Sequence, residues 1–272
     1  MKNLLHNILI GLILVLTMIG IPACSDDTPE QEHAEISFTA TLPVDILSRS
    51  FGDAEQVNTL MVGVFNAQKE EVERKEFVID GTRADVCIAL AQNQTYHFIF
   101  WAYNKNQNIY NLDDLTSIEM NLPSSLTFSQ AEASDAFFAA KENVNVKGDR
   151  EYRMELFRPL AQINVGTIGK VGQASFKAKA VHNKFHPFSN TVSGEADLTW
   201  NFSETTTESF TVEGKTYNYL ALAYLFAPTA GTEIAAELLL ADISEPLDFP
   251  RVEIKANCRS NIAGKFTIET NN

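Results

Sequence analysis

From Glu35 onward the chain reads in steps of two. Residues 35–42 set Ile36, Phe38, Ala40 and Leu42 on one side and Glu35, Ser37, Thr39 and Thr41 on the other, which is the pattern of a strand with one buried face. Leu60, Val62 and Val64 alternate again, and residues 77–79 and 86–90 follow with short polar turns between them. Residues 95–103 are apolar on both faces, as in a central strand covered from both sides. An Asn-rich stretch, 104–111, predicts a loop, and Leu112-Asp113-Asp114-Leu115 a short helical turn. Strand signals resume with Met154 and Leu156, then Ile163 and Val165 after Pro159, then Phe176, Ala178 and Ala180 opposite Lys177 and Lys179. Residues 195–201, 210–213, 233–240 and 252–256 are further strands, and 217–227 is a long apolar one stopped by Pro228. Residues 265–270 close the series, with Phe266 and Ile268 on one face. Almost nowhere does a helical period last beyond two turns. The fold class is therefore all-β, and short strands at this spacing predict two tandem β-sandwiches, residues 35–150 and 151–272, joined at the charged segment 146–151. No internal repeat shows in the sequence.

The first residues follow a different rule. Lys2 precedes fourteen apolar residues, 8–21, too few to span a bilayer comfortably. They run into Ile21-Pro22-Ala23-Cys24. A positive start, an apolar stretch and a small residue before cysteine resemble a lipoprotein signal peptide, residues 1–23. Ile21 and Pro22 depart from its commonest form, and a plain secretory signal is the alternative. Lipidation at Cys24 would attach the chain to one leaflet by acyl chains. Residues 24–34 are an acidic tether with one proline, unable to pack a core. The start Cys24-Ser25-Asp26-Asp27 also resembles the signal that sends lipoproteins of the Bacteroidota to the outer face of the outer membrane.

Charge narrows the partners. The 272 residues carry 21 basic and 35 acidic side chains, a net of −14, and loss of Lys2 with the signal peptide would make it −15. This balance excludes nucleic acid as a partner and argues against a surface for anionic lipid head groups. Of three cysteines, Cys24 would be consumed by lipid, leaving Cys87 and Cys258 as two separate thiols or, alternatively, as one disulfide. Neither His-Glu-x-x-His, Gly-x-Ser-x-Gly nor Cys-x-x-Cys occurs. Gly166-Thr167-Ile168-Gly169-Lys170 lacks the spacing of a phosphate loop and predicts a turn. His182 and His186, on a strand or turn, would lie about 13 Å apart, too far for one zinc. Asp113, Asp114 and Asp135 read as acidic loop residues, and the 104–114 loop lacks the ligand pattern of a calcium site. No catalytic residue, cofactor or metal is expected, so the chain is not read as an enzyme. Trp101, Tyr103, Tyr110 and Trp200 are expected mostly as packing, although exposed rings of this kind could stack on sugars.

Several strings have a familiar look together: Leu47-Ser48-Arg49-Ser50-Phe51-Gly52-Asp53, then Leu60-Met61-Val62-Gly63-Val64-Phe65-Asn66-Ala67, Phe100-Trp101-Ala102-Tyr103-Asn104 before Tyr110, and Asp135-Ala136-Phe137-Phe138. Leu156-Phe157-Arg158-Pro159-Leu160-Ala161-Gln162-Ile163-Asn164-Val165 and Arg259-Ser260-Asn261-Ile262-Ala263-Gly264 complete the set. The chain thereby resembles the fimbrillin-like lipoproteins of the Bacteroidota, the type V pilin superfamily, over nearly all its mature length. The resemblance implies transthyretin-like β-sandwich domains and assembly by strand exchange. An arginine-specific protease would cut between Arg49 and Ser50, removing the strand that carries Ile36, Phe38, Ala40 and Leu42. A partner's strand would fill the groove, and the C-terminal strand with Phe266 and Ile268 is the candidate donor. Burying Ile36, Phe38 and Leu42 is worth about 5–9 kcal/mol, comparable to the stability of a whole domain.

The sequence reading is thus a non-enzymatic surface lipoprotein: a fimbrial subunit, anchor or adhesin on the outer membrane. Its partners would be other pilin-like subunits and the membrane through Cys24, with a glycan or host protein as a further one and nucleic acid excluded. The alternative is a surface glycan-binding lipoprotein with Trp101, Tyr103 or Trp200 as its platform. Exposure of those rings separates the two.

Overall fold

Alternation becomes strands almost throughout. The computed structural model describes residues 32–43, 54–169, 172–241 and 244–266. In chain order the first half holds β1 (His33–Thr41), β2 (Thr59–Phe65), β3 (Glu71–Val78), β4 (Arg83–Ala91) and β5 (Gln94–Tyr103). Then come β6 (Tyr110–Asn111), β7 (Ile118–Met120), the helix α1 (Phe128–Glu132), β8 (Phe137–Val146) and β9 (Arg150–Glu155). The second half holds β10 (Leu160–Thr167), β11 (Ala174–Val181), β12 (Lys184–His186), β13 (Thr191–Ser193), β14 (Ala196–Asn201) and β15 (Ser209–Val212). It ends with β16 (Lys215–Phe226), β17 (Thr232–Leu240), β18 (Leu247–Ile254) and β19 (Arg259–Gly264). Residues from His33 onward form one compact unit.

Two β-sandwiches account for most of these strands. The first packs the sheet β4-β1-β9 on the sheet β3-β2-β5-β8 around Ile36, Phe38, Val86, Ile88, Phe98 and Phe100. The second packs β15-β16-β10-β19 on β14-β11-β17-β18 around Ile163, Val165, Phe176, Trp200 and Leu238. Strand order and direction repeat between them. In each, the first strand lies antiparallel to one neighbour and parallel to the last strand: β1 between β4 and β9, β10 between β16 and β19. The facing sheets repeat too, β3-β2-β5-β8 matching β14-β11-β17-β18, antiparallel throughout. The duplication is one of topology, invisible in the sequence. One difference breaks it: β15 caps the outer edge of β16, and the corresponding edge of β4 has no described strand beside it.

The joint also differs from its predicted place. β9 follows the charged segment 146–151 but pairs with β1, and Leu156 belongs to the first core whereas Leu160 belongs to the second. The crossing is therefore at Phe157-Arg158-Pro159. Between the sandwiches lies a small sheet, β13-β12-β7-β6, built from both halves of the chain. It explains why β5 and β16 are apolar on both faces. Phe98 and Phe100 of β5 point into the first core, while Ile99 and Trp101 point the other way. There the Trp101 ring meets Tyr110 at 5.2 Å, Phe185 at 6.1 Å and Phe226 of β16 at 6.3 Å.

No helix forms at residues 112–115, where the sequence predicts a turn of one. The short α1 lies further on, started by a capping box in which Thr127 Oγ1 accepts from Gln130 N–H at 3.1 Å and Gln130 Oε1 accepts from Thr127 N–H at 2.8 Å. Gly166 is not in a turn but inside β10, beneath the Phe210 ring; a Cβ there would sit 2.7 Å from Phe210 Cζ and 3.0 Å from Tyr217 Cβ. Gly166→Ala is accordingly expected to destabilise by about 1–3 kcal/mol through overpacking. A denaturant midpoint equal to that of the parent chain would contradict this.

Candidate functional site

β1 is the middle strand of its sheet, and its chemistry follows from that position. Its inward residues are almost wholly enclosed: Ile36 and Phe38 are 1% exposed, Ala40 2% and the following Leu42 4%. Phe38 fills the centre, its ring 4.8 Å from Phe98, 5.0 Å from Phe100 and stacked on Tyr152 at 5.2 Å. Ser37 and Thr39, on the opposite face of β1, are only half-buried. The ladder to β4 runs from His33 opposite Ala91 to Thr41 opposite Arg83, and that to β9 from Ile36 opposite Arg150 to Thr41 opposite Glu155. At its far end, Leu42 N–H donates to the Thr82 carbonyl at 2.8 Å and Leu156 N–H to the Thr41 carbonyl at 2.9 Å. At the near end Glu35 N–H donates to Asp149 Oδ1 at 2.9 Å. Without β1, β4 and β9 would be two separated strands above an apolar floor of Phe98 and Phe100.

The other sequence-derived positions fare differently. Cys24, Arg49 and Ser50 lie outside the described residues, as does Ile268. The last described strand is β19, Arg259–Gly264, earlier in the chain than the 265–270 strand that alternation predicts. Phe266 follows it half-buried; its N–H donates to Thr167 Oγ1 at 3.3 Å, and its ring lies 6.3 Å from that of Phe249. In this chain β1 and β19 each complete a sandwich of their own.

Three of the quoted strings meet in space. Asp135 is 1% exposed and accepts from Arg158 Nε at 2.8 Å and Nη2 at 2.7 Å, with the guanidinium 4.8 Å over the Phe137 ring. Burial works to lower the Arg158 pKa, but the Asp135 carboxylate holds it above the ordinary guanidinium value. Beside the pair, the Tyr224 hydroxyl donates to Glu132 at 3.2 Å and the Tyr110 hydroxyl to the Ser134 carbonyl. Burial, reinforced by the Asp135 charge, pushes both phenols well above their usual range. From Arg158 the string continues into β10, where Gln162 donates to Asn164 at 2.9 Å, Asn164 to Asn261 at 2.9 Å and Arg259 Nε to Gln162 at 3.3 Å. These motifs hold the crossing point and the β10–β19 pair. Reading Asp135 as a loop acid missed this, although its apolar setting, Ala136-Phe137-Phe138, was a usable signal.

The rings considered as a sugar platform are inside. Trp101 and Trp200 are 0% exposed, Tyr103 and Tyr110 8%. Burial and the neighbouring Glu76 carboxylate push the Tyr103 phenol up to about 12. His182 Nδ1 contacts the Gly194 carbonyl at 3.0 Å, while His186 contacts the Thr116 carbonyl at 3.2 Å and Ser193 Oγ at 2.7 Å. Among the described residues no three His, Cys, Asp or Glu side chains gather as a metal site. Cys87 and Cys258 are both free and exposed.

A model of the family of unknown function DUF6562 matches residues 28–272. The chain belongs to that family. No curated protein matches the DUF6562 chain in sequence. Solved structures share its fold. A candidate adhesin of Bacteroides thetaiotaomicron superposes with a TM-score of 0.53 at 12% identity, over 82% of each chain. A candidate adhesin of Bacteroides ovatus gives 0.51 at 12% identity, over 80% of the DUF6562 chain and 76% of the other. A candidate polysaccharide-binding protein of Bacteroides thetaiotaomicron gives 0.50 at 10% identity, over 80% of each. At such identities the likeness is one of fold.

Proposed function

We propose that this chain is a non-enzymatic, lipid-anchored surface protein, a subunit or anchor of a fimbrial assembly, that accepts a partner's strand in the place of β1. The observation that carries this reading is the position of β1. It lies centrally in its sheet, seals the core with Phe38, and is joined to the rest of the first sandwich by the chain that contains Arg49 and Ser50. An edge strand could leave at little cost, but loss of a central one leaves a groove that demands an equivalent occupant. The adhesin candidates that share the fold support a role in attachment. In this reading Cys24 carries lipid in the outer membrane and residues 24–34 are the tether until a cut between Arg49 and Ser50 releases both together with β1, and the donor is the C-terminal segment of a partner subunit, with Phe266 and Ile268.

The glycan reading is the weaker one. One protein of the same fold is a polysaccharide-binding candidate, yet Trp101, Tyr103 and Trp200 are enclosed here and offer no stacking surface.

Treating the purified protein with an arginine-specific protease, then sequencing its N-terminus and heating it in SDS, tests the proposal. The expected outcome is a new start at Ser50 and a ladder of heat-resistant multimers. A start that stays at Cys24, with a single monomer band, would overturn it.

A further inference from the structure

The duplicated topology leaves one edge without a described partner. In the second sandwich β15 lies antiparallel on the outer edge of β16, with Ser209 opposite Asn218 and Val212 opposite Lys215. The corresponding edge, that of β4, has no strand beside it among the described residues. The Leu42–Thr82 hydrogen bond sets the phase of the β1–β4 ladder. Alternation in an antiparallel pair then turns the backbone groups of Ala84, Val86, Ile88 and Leu90 toward β1 and those of Asp85, Cys87 and Ala89 outward. Edges of this kind are usually guarded by charge. β9, the opposite edge of the same sheet, carries Arg150, Glu151, Arg153 and Glu155, and β3 is charged at Glu71, Glu73, Arg74, Lys75 and Glu76. β4 has only Arg83 and Asp85, both at one end, and then runs Val86-Cys87-Ile88-Ala89-Leu90-Ala91 without charge or proline. Its outward side chains beyond Asp85 are small, Cys87 and Ala89, and both are exposed.

We propose that the β4 edge is a self-association surface, occupied by β4 of a second copy of this chain running antiparallel about a two-fold axis at Cys87. In that register the outward-facing groups meet as hydrogen-bonded pairs: Asp85 opposite Ala89 of the other copy, Cys87 opposite its own counterpart. Arg83 falls opposite Ala91, so no like charges oppose each other, and the same patch serves both copies, as a closed two-fold interface requires. The joined sheet runs through both molecules, with the second copy standing where β15 stands in the second sandwich. This dimer keeps β1 in place and does not rest on strand exchange. The two Cys87 Cα atoms would be about 5.5 Å apart, as in any hydrogen-bonded antiparallel pair, within the range of a disulfide.

The test is sedimentation of the intact chain across a concentration series, before and after oxidised glutathione. That reagent would take up two electrons and two protons as two reduced glutathione molecules while one Cys87–Cys87 bond forms. A doubling of mass is expected, with the dimer trapped covalently by oxidation. Cys87→Ser should keep the non-covalent dimer and lose the covalent one. Ala89→Pro removes an outward N–H and leaves the ladder to β1 intact; Cys87→Lys puts two cations on the axis without touching the core. Either should return the protein to monomer with its circular dichroism unchanged. A monomer at every concentration, a dimer indifferent to both variants, or a dimer that glutathione does not trap through Cys87 would overturn the proposal.

Discussion

A chain that begins at Ser50 is expected to lose the cooperative unfolding of its first sandwich, and to regain it when a peptide of residues 33–43 is added. Ile36, Phe38 and Leu42 together contribute about 5–9 kcal/mol of burial, and the stability of a domain is about 5–15 kcal/mol. Removing them consumes most of it, and it also strips both neighbouring ladders of their partner. The peptide restores both at once, because its alternate side chains enter the groove while its backbone bridges β4 and β9. Within the intact chain, Phe38→Ala alone is expected to cost about 3–5 kcal/mol, since Phe98, Phe100 and Tyr152 cannot all close over the space. Denaturant titration followed by tyrosine and tryptophan fluorescence would measure each step. If the shortened chain unfolds at the same midpoint as the full one, β1 is dispensable and the groove argument fails.

Asp135→Ala is the second large effect. It leaves the Arg158 guanidinium, with 14% of its side chain exposed, without the carboxylate it faces. Breaking one partner of such a buried pair costs about 3–5 kcal/mol, whereas replacing both by apolar groups of similar volume is nearly neutral. Asp135→Leu combined with Arg158→Met is therefore expected to recover most of the loss. Additive losses from the two single variants, with no recovery in the double one, would show that the two residues act separately.

Much of this was legible in the residues, and the limits have physical causes. The one-sided alternation of 35–42 located β1 to within a residue or two, because a period of two with a buried face needs no tertiary information. The apolar runs at β5 and β16 announced two covered faces but not what covers them; that depends on the small sheet between the sandwiches, whose strands β7 and β12 come from segments far apart in sequence. Charged Arg150–Glu155 looked like the opening of the second sandwich because alternation is silent about which strand is the neighbour. Parallel pairing with β1 is a long-range choice. The capping box at Thr127 and Gln130 was readable and locates α1 better than the Leu112–Leu115 pattern did. Topological duplication left no trace in the sequence, since sandwich cores accept many apolar residues so long as volume and alternation are kept.

The parallel pairing of β1 with β9, beside its antiparallel pairing with β4, also has a mechanical meaning. Tension that enters the unit at His33 and runs along β1 pulls across hydrogen bonds on both flanks, which lie broadly crosswise to the strand. Those bonds must yield together, in shear, and cannot be unzipped one by one. A strand held in this way resists being drawn out along its own axis.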